Sequence, residues 1–148
     1  MAEHAHEQMV IRADSRRCFE VVVDFERYPE WAADIKEVEV LRRDEEGRPL
    51  TVHFRAGAFG RSATYTLEYD YSRAPEVLSW KQTAGDATSR LDGSYSFRPV
   101  GDAETEVTYD LYVELAVPMP GFVKRRAEDR ITHIALRELK ARIEGNRP

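Results

Sequence analysis

Cysteine is almost absent. Cys18 stands alone among 148 residues, so no internal disulfide can form, and no Cys/His cluster has zinc-site spacing. No metal is expected. No apolar run approaches the roughly 18 residues of a membrane-spanning helix. The segment Met1 to Glu7 has neither the basic start nor the apolar stretch of a secretory leader. These absences point to a cytoplasmic protein without a membrane span. Basic blocks are missing too. Net charge is −5, and Arg16-Arg17 and Lys124-Arg125-Arg126 are too short for a phosphate-tracking surface; they read as solvated helix faces, which excludes nucleic acid as a partner. Lysine is scarce, with four against eighteen arginines, a bias that points to a GC-rich bacterial genome and carries no function. There is no Ser-His-Asp set, Gly-rich phosphate loop or paired-carboxylate signature, and no cofactor is implied. His53 and His133 fall on polar faces and read as solvated. Repeats, low-complexity tracts and Pro/Gly linkers are also lacking, so residues 1–148 read as one domain.

What is present is a globular composition, 42% hydrophobic and 33% charged, in a chain long enough to bury roughly 70% of its unfolded surface. The order of elements is informative. Glu7 to Arg12 is a short strand with Met9 and Ile11 on one face. Ala13-Asp14-Ser15 offers a helix N-cap, and Arg16 to Asp24 reads as a helix, with Cys18, Phe19, Val22, Val23 and Phe25 at helical spacing. Tyr28-Pro29 breaks this helix, with a second short helix from Pro29 to about Ala33. From Ile35 the period becomes two. Six strands follow at hairpin spacing, with turns at Arg43–Pro49, Gly57–Gly60, Ser72–Glu76, Gly85-Asp86 and Pro99–Ala103. The last is the clearest: Val107, Tyr109, Leu111, Val113 and Leu115 alternate with polar neighbours. Pro118 and Pro120 end the sheet. Gly121 to Ile143 is one amphipathic helix whose apolar members are Ala127, Ile131, Ile134, Ala135, Leu139 and Ile143.

The expected fold is therefore α+β: a seven-stranded antiparallel curved sheet wrapped round a C-terminal helix roughly 33 Å long, with two short helices after the first strand. This order resembles the helix-grip fold of the START-like (SRPBCC) superfamily, in its polyketide cyclase/dehydrase and lipid-transport branch. The matching segments are Asp24-Phe25-Glu26-Arg27-Tyr28-Pro29-Glu30-Trp31, Leu78-Ser79-Trp80, Asp92-Gly93-Ser94-Tyr95, Thr105-Glu106-Val107-Thr108-Tyr109 and Val117-Pro118-Met119-Pro120. The resemblance implies a cavity between sheet and helix that holds a lipid, quinone or polyketide-like molecule.

Phe54, Tyr65, Trp80, Tyr95, Phe97 and Tyr109 share the apolar parity of their strands. They are either ordinary core or cavity wall, and three buried phenols would need hydrogen-bond partners that a ligand or cavity water can supply. With Trp31 near the mouth, and Ala127 and Ile131 on the helix, they form the candidate ligand site. One helix stripe runs from Ile143 back through Leu139, Ala135, Thr132, Glu128 and Lys124. Its polar end means either a cavity below the helix or an exposed helix start with a Lys124–Glu128 pair. The leading reading is a carrier or binding protein for a hydrophobic small molecule, as monomer or homodimer. A polyketide cyclase, aromatase or dehydratase would need inward polar groups, for which only the tyrosines, Gln82 and Glu128 offer themselves. A protein-interaction module is the third possibility.

Overall fold

The structure, a computed structural model, describes residues 3–58, 61–116 and 120–145. The elements in chain order are β1 (Glu3–Ile11), α1 (Ser15–Val23), a 3₁₀ helix (Phe25–Glu30), β2 (Ile35–Arg43), β3 (Pro49–Ala58), β4 (Arg61–Asp70), β5 (Val77–Gly85), β6 (Thr88–Gly101), β7 (Glu104–Leu115) and α2 (Gly121–Gly145). The seven strands form one sheet, ordered β1-β7-β6-β5-β4-β3-β2. Every neighbouring pair is antiparallel. Consecutive strands from β2 to β7 are joined as hairpins, and β1 closes the order beside β7. The expected helix-grip architecture is observed.

Period-two patterning sets the two sheet faces. Val107, Tyr109, Leu111 and Val113 of β7 are buried, as are Leu78 and Trp80 of β5 and Tyr95 and Phe97 of β6. The alternate positions face outward. Asp14 caps α1 as its composition suggests: its backbone is extended and its carboxylate accepts from the Arg17 N–H at 2.8 Å. Cys18, Val21 and Val22 then turn inward.

Three elements depart from expectation. Strand β1 begins at Glu3, because residues 3 to 6 pair with β7; a lone Ala5 between His4 and His6 gives too little apolar alternation to mark it. The second short helix is a 3₁₀ turn that starts at Phe25 and contains Pro29, a geometry suited to short pieces of helix. The third departure is the face of α2. Leu136, Leu139 and Ile143 are buried, together with Glu128 and Thr132, whereas Ile131 is 42% exposed. Adjacent helix positions differ by about 100°, so the stripe through 128, 132, 136, 139 and 143 turns residue 131 to the flank.

The C-terminal half of α2 is fastened by charge as well as packing. The Arg12 N–H donates to Glu144 Oε2 at 2.8 Å, and Lys140 Nζ donates to the same oxygen at 2.7 Å and to the Val10 carbonyl at 2.9 Å. Burial works to raise the Glu144 pKa, but these donors outweigh it and hold the carboxyl at about 2 instead of the ordinary 4.5. A depressed carboxylate adds stability above its unfolded pKa and loses it as pH falls through the folded one. Glu144→Gln should therefore flatten the stability curve between about pH 4.5 and 2. Denaturant melts across that range test this. An unchanged acid limb in the variant would show that the clasp is not coupled to folding.

Candidate functional site

The inner face of the sheet carries a continuous set of aromatic rings. Phe54 stacks on Tyr65, with centroids 5.2 Å apart. Trp80 lies 5.5 Å from Tyr95 and 5.8 Å from Tyr109, and the two tyrosine rings are 4.7 Å apart. Phe97 continues the row from Tyr95 at 6.1 Å. Trp31 joins through Tyr28, 4.9 Å away. Seven of the nine nominated site residues thus fall in one connected set.

Three rings that link this set were not nominated. Tyr69 stands 5.8 Å from Trp80 and 4.4 Å from Phe25. Tyr28 bridges Phe25 and Phe54, and its hydroxyl donates to the Val22 carbonyl at the end of α1. The parity of β4 marks Tyr69 as inward; the contacts of Phe25 and Tyr28 depend on how the 3₁₀ turn folds back.

Gly93 makes room for Trp80. The two residues face each other in the β5–β6 register, and a Cβ at position 93 would come within 2.7 Å of the indole. Glycine inside a strand commonly marks such a close approach.

The phenols are electrostatically crowded. Burial pushes the Tyr69 pKa well above its ordinary range, and Tyr65, Tyr95, Tyr109 and Tyr71 push it further. Burial first, then Tyr95 and Tyr65, raises Tyr109; burial, then Tyr28 and Tyr65, raises Tyr95. These groups remain neutral and serve as hydrogen-bond donors and acceptors, not as bases near neutral pH.

On the facing helix, Glu128 is 3% exposed and Thr132 2%. Of the two sequence readings of this stripe, burial replaces the exposed helix start. The Thr132 hydroxyl turns back to the Asp129 carbonyl at 3.2 Å. The side chains of Lys124 and Ala127 lie outside the described residues, as do Val117 to Met119 of the quoted motif. Ile131 leaves the candidate site as a correction, because it is turned to solvent. Gln82 leaves the inward polar set. Its amide donates to the Thr88 carbonyl at 2.7 Å and accepts from the Thr88 hydroxyl at 2.6 Å, closing the β5–β6 turn. His53 is partly buried, with Nδ1 2.9 Å from the Thr66 hydroxyl, and His133 is exposed beside Glu7.

A groove of about 570 Å³ is bordered by the charged Asp44, Arg48, Glu68, Asp70 and Lys81, and also by Leu50, Tyr71 and two members of the aromatic set, Tyr69 and Trp80. No helix among the described residues is long and apolar enough to cross a membrane.

A sheet that curves round a terminal helix, with a dense aromatic inner face, defines the helix-grip class. Residues 11–140 match the family described as polyketide cyclase/dehydrase and lipid transport, and the chain belongs to that family. Among solved structures, a START superfamily protein from Mycobacterium smegmatis is 25% identical, with a TM-score of 0.91 over 96% of this chain and 97% of that one. The Zhui aromatase/cyclase from Streptomyces sp. R1128 is 14% identical, with a TM-score of 0.81 over 97% and 94%. A protein from Thermus thermophilus is 20% identical, with a TM-score of 0.82 over 99% and 100%. Likeness at the lower identities is likeness of fold alone. No curated protein matches the chain.

Proposed function

We propose that this protein binds a hydrophobic small molecule carrying polar substituents, a lipid, quinone or polyketide-like compound, between the inner sheet face and the first half of α2. One observation carries the reading: the phenols of Tyr65, Tyr69, Tyr95 and Tyr109 crowd together on the sheet, and α2 buries two further polar residues, Glu128 and Thr132. A purely structural core is served better by apolar side chains, because each buried polar group needs a hydrogen-bond partner. Aromatic walls with a few convergent polar groups are the usual make-up of a small-molecule site. The family and the aromatase/cyclase fold likeness support the same reading.

The buried carboxyl of Glu128 also favours a second reading, in which the bound molecule is a poly-β-ketone whose cyclisation or dehydration uses Glu128 as acid or base. Native mass spectrometry of the purified protein and titration with an apolar fluorescent probe test both. Saturable binding that Tyr95→Ala and Tyr109→Ala each weaken about tenfold or more supports the site; one lost aromatic contact and its area correspond to about 1.4 kcal/mol or more. Turnover of a poly-β-ketone that disappears in Glu128→Gln, with probe binding retained, selects the enzyme. Absence of saturable binding in the wild type would overturn the site.

A further inference from the structure

The outer face of the sheet carries a separate constellation. In β1, His4 and His6 lie on the side opposite the buried Ala5 and Ile11, because a strand alternates its side chains. Register places His6 opposite Asp110 of β7, and His4 opposite Tyr112. Asp110 Oδ1 is 2.8 Å from His4 Nε2 and 2.6 Å from His6 Nδ1. One carboxylate oxygen therefore receives two imidazoles. The three donor atoms all lie within 4.8 Å of one another. Tyr112 stacks on His4 at 4.5 Å and 8°, which sets the plane of that ring, and the Arg90 guanidinium stands 5.1 Å from the centre of the Tyr112 ring.

We propose that His4, His6 and Asp110 form a surface site for a divalent transition ion of the zinc type. Two imidazole nitrogens and one carboxylate oxygen suit such an ion, and the absence of thiolate disfavours softer ions such as Cu(I). Metal–ligand bonds of about 2.0–2.2 Å place tetrahedral donors about 3.3 Å apart. The two carboxylate–imidazole spacings, 2.8 and 2.6 Å, need to widen by about 0.5–0.7 Å for that geometry, and the two imidazole nitrogens, within 4.8 Å of each other, need to settle at the same separation, through rotations of side chains that already reach solvent. His4 would bind through Nε2 with its proton on Nδ1, and His6 through Nδ1 with its proton on Nε2. The fourth position stays open to water or to a donor from outside. The ion would tie the edge strand β1 to β7. Spacing along the chain gives no zinc signature here, because the third ligand arrives from a neighbouring strand more than a hundred residues away.

The test uses the full chain, stripped with a chelator, titrated with Zn²⁺ by calorimetry and with Co²⁺ by visible absorption. The expected result is one ion per chain, with the d–d absorption of low-coordinate Co²⁺. His6→Ala and Asp110→Asn should each weaken binding at least about tenfold, the scale on which loss of even an outer-shell partner acts. His133→Ala, on the opposite side of β1, should bind as the wild type does. Far-UV circular dichroism of each variant separates loss of ligands from loss of fold, and Asp110→Asn conserves shape. No saturable uptake by the wild type, or uptake that persists in the His6→Ala/Asp110→Asn double variant, would overturn the site. So would uptake that depends on His133.

Discussion

Leu139→Ala is expected to cost about 2–5 kcal/mol, towards the upper end of that range. Leu139 is wholly buried, on the α2 stripe that also holds Leu136 and Ile143. Around it the helix is fixed on several sides. Lys140 and Glu144 are bonded to the end of β1, Glu138 accepts from the Ala33 N–H, and Arg142 donates to Glu30. A helix held at so many points cannot sink into the space left by an isobutyl group, so most of the void persists. Ile131→Ala supplies the contrast. The same helix and a similar loss of carbons should change stability by no more than about 0.5 kcal/mol, because the side chain faces solvent. Urea melts of the two variants decide the matter. Comparable losses at both positions would mean that the helix docks on a different face.

Gly93→Val should cost about 3 kcal/mol, at the high end for overpacking. Added carbons at position 93 meet the Asp110 carbonyl on one side and the Trp80 indole on the other. The carbonyl belongs to the β6–β7 ladder and cannot retreat without breaking pairing. The indole must move, and it is packed by Tyr69, Tyr95 and Tyr109. Loss of stability should therefore come with a changed near-ultraviolet circular dichroism signal and weakened binding of an apolar probe. A variant that melts within about 1 kcal/mol of the wild type, with its aromatic signal intact, would show that Trp80 does not depend on the bare backbone beneath it.

The sheet was largely legible because its strands alternate cleanly. Val107, Tyr109, Leu111 and Val113 announce both the strand and its buried face, and Trp80, Tyr95 and Phe97 do the same for their neighbours. Legibility failed where polarity and burial part company. His4 and His6 hide the first half of β1, which pairs with β7 and buries only the small Ala5. The stripe of α2 through Leu139, Thr132 and Glu128 could be traced, but its polar members left both burial and exposure open, and apolar periodicity counted Ile131 and passed over Leu136. Gln82 has inward parity, yet a backbone carbonyl and the hydroxyl of Thr88 occupy its amide. The aromatic set could be nominated strand by strand, but Phe25 and Tyr28 enter it through a 3₁₀ turn whose direction is a tertiary property.

The position of β2 has a consequence for how these molecules behave in company. It is one of the two terminal strands of the sheet and, among the described residues, pairs with β3 alone, so one side of its backbone is open to recruitment by another chain. Its ladder slips three times, at Ile35/Glu37, Val40/Arg42 and Arg42/Arg43, and Lys36, Glu37, Glu39, Arg42 and Arg43 are all exposed along it. An incoming strand would find donors and acceptors out of step and charges standing in the way, two of the devices by which open sheets resist edge-to-edge growth. Concentrated solutions of the folded protein should accordingly resist fibril formation through this edge.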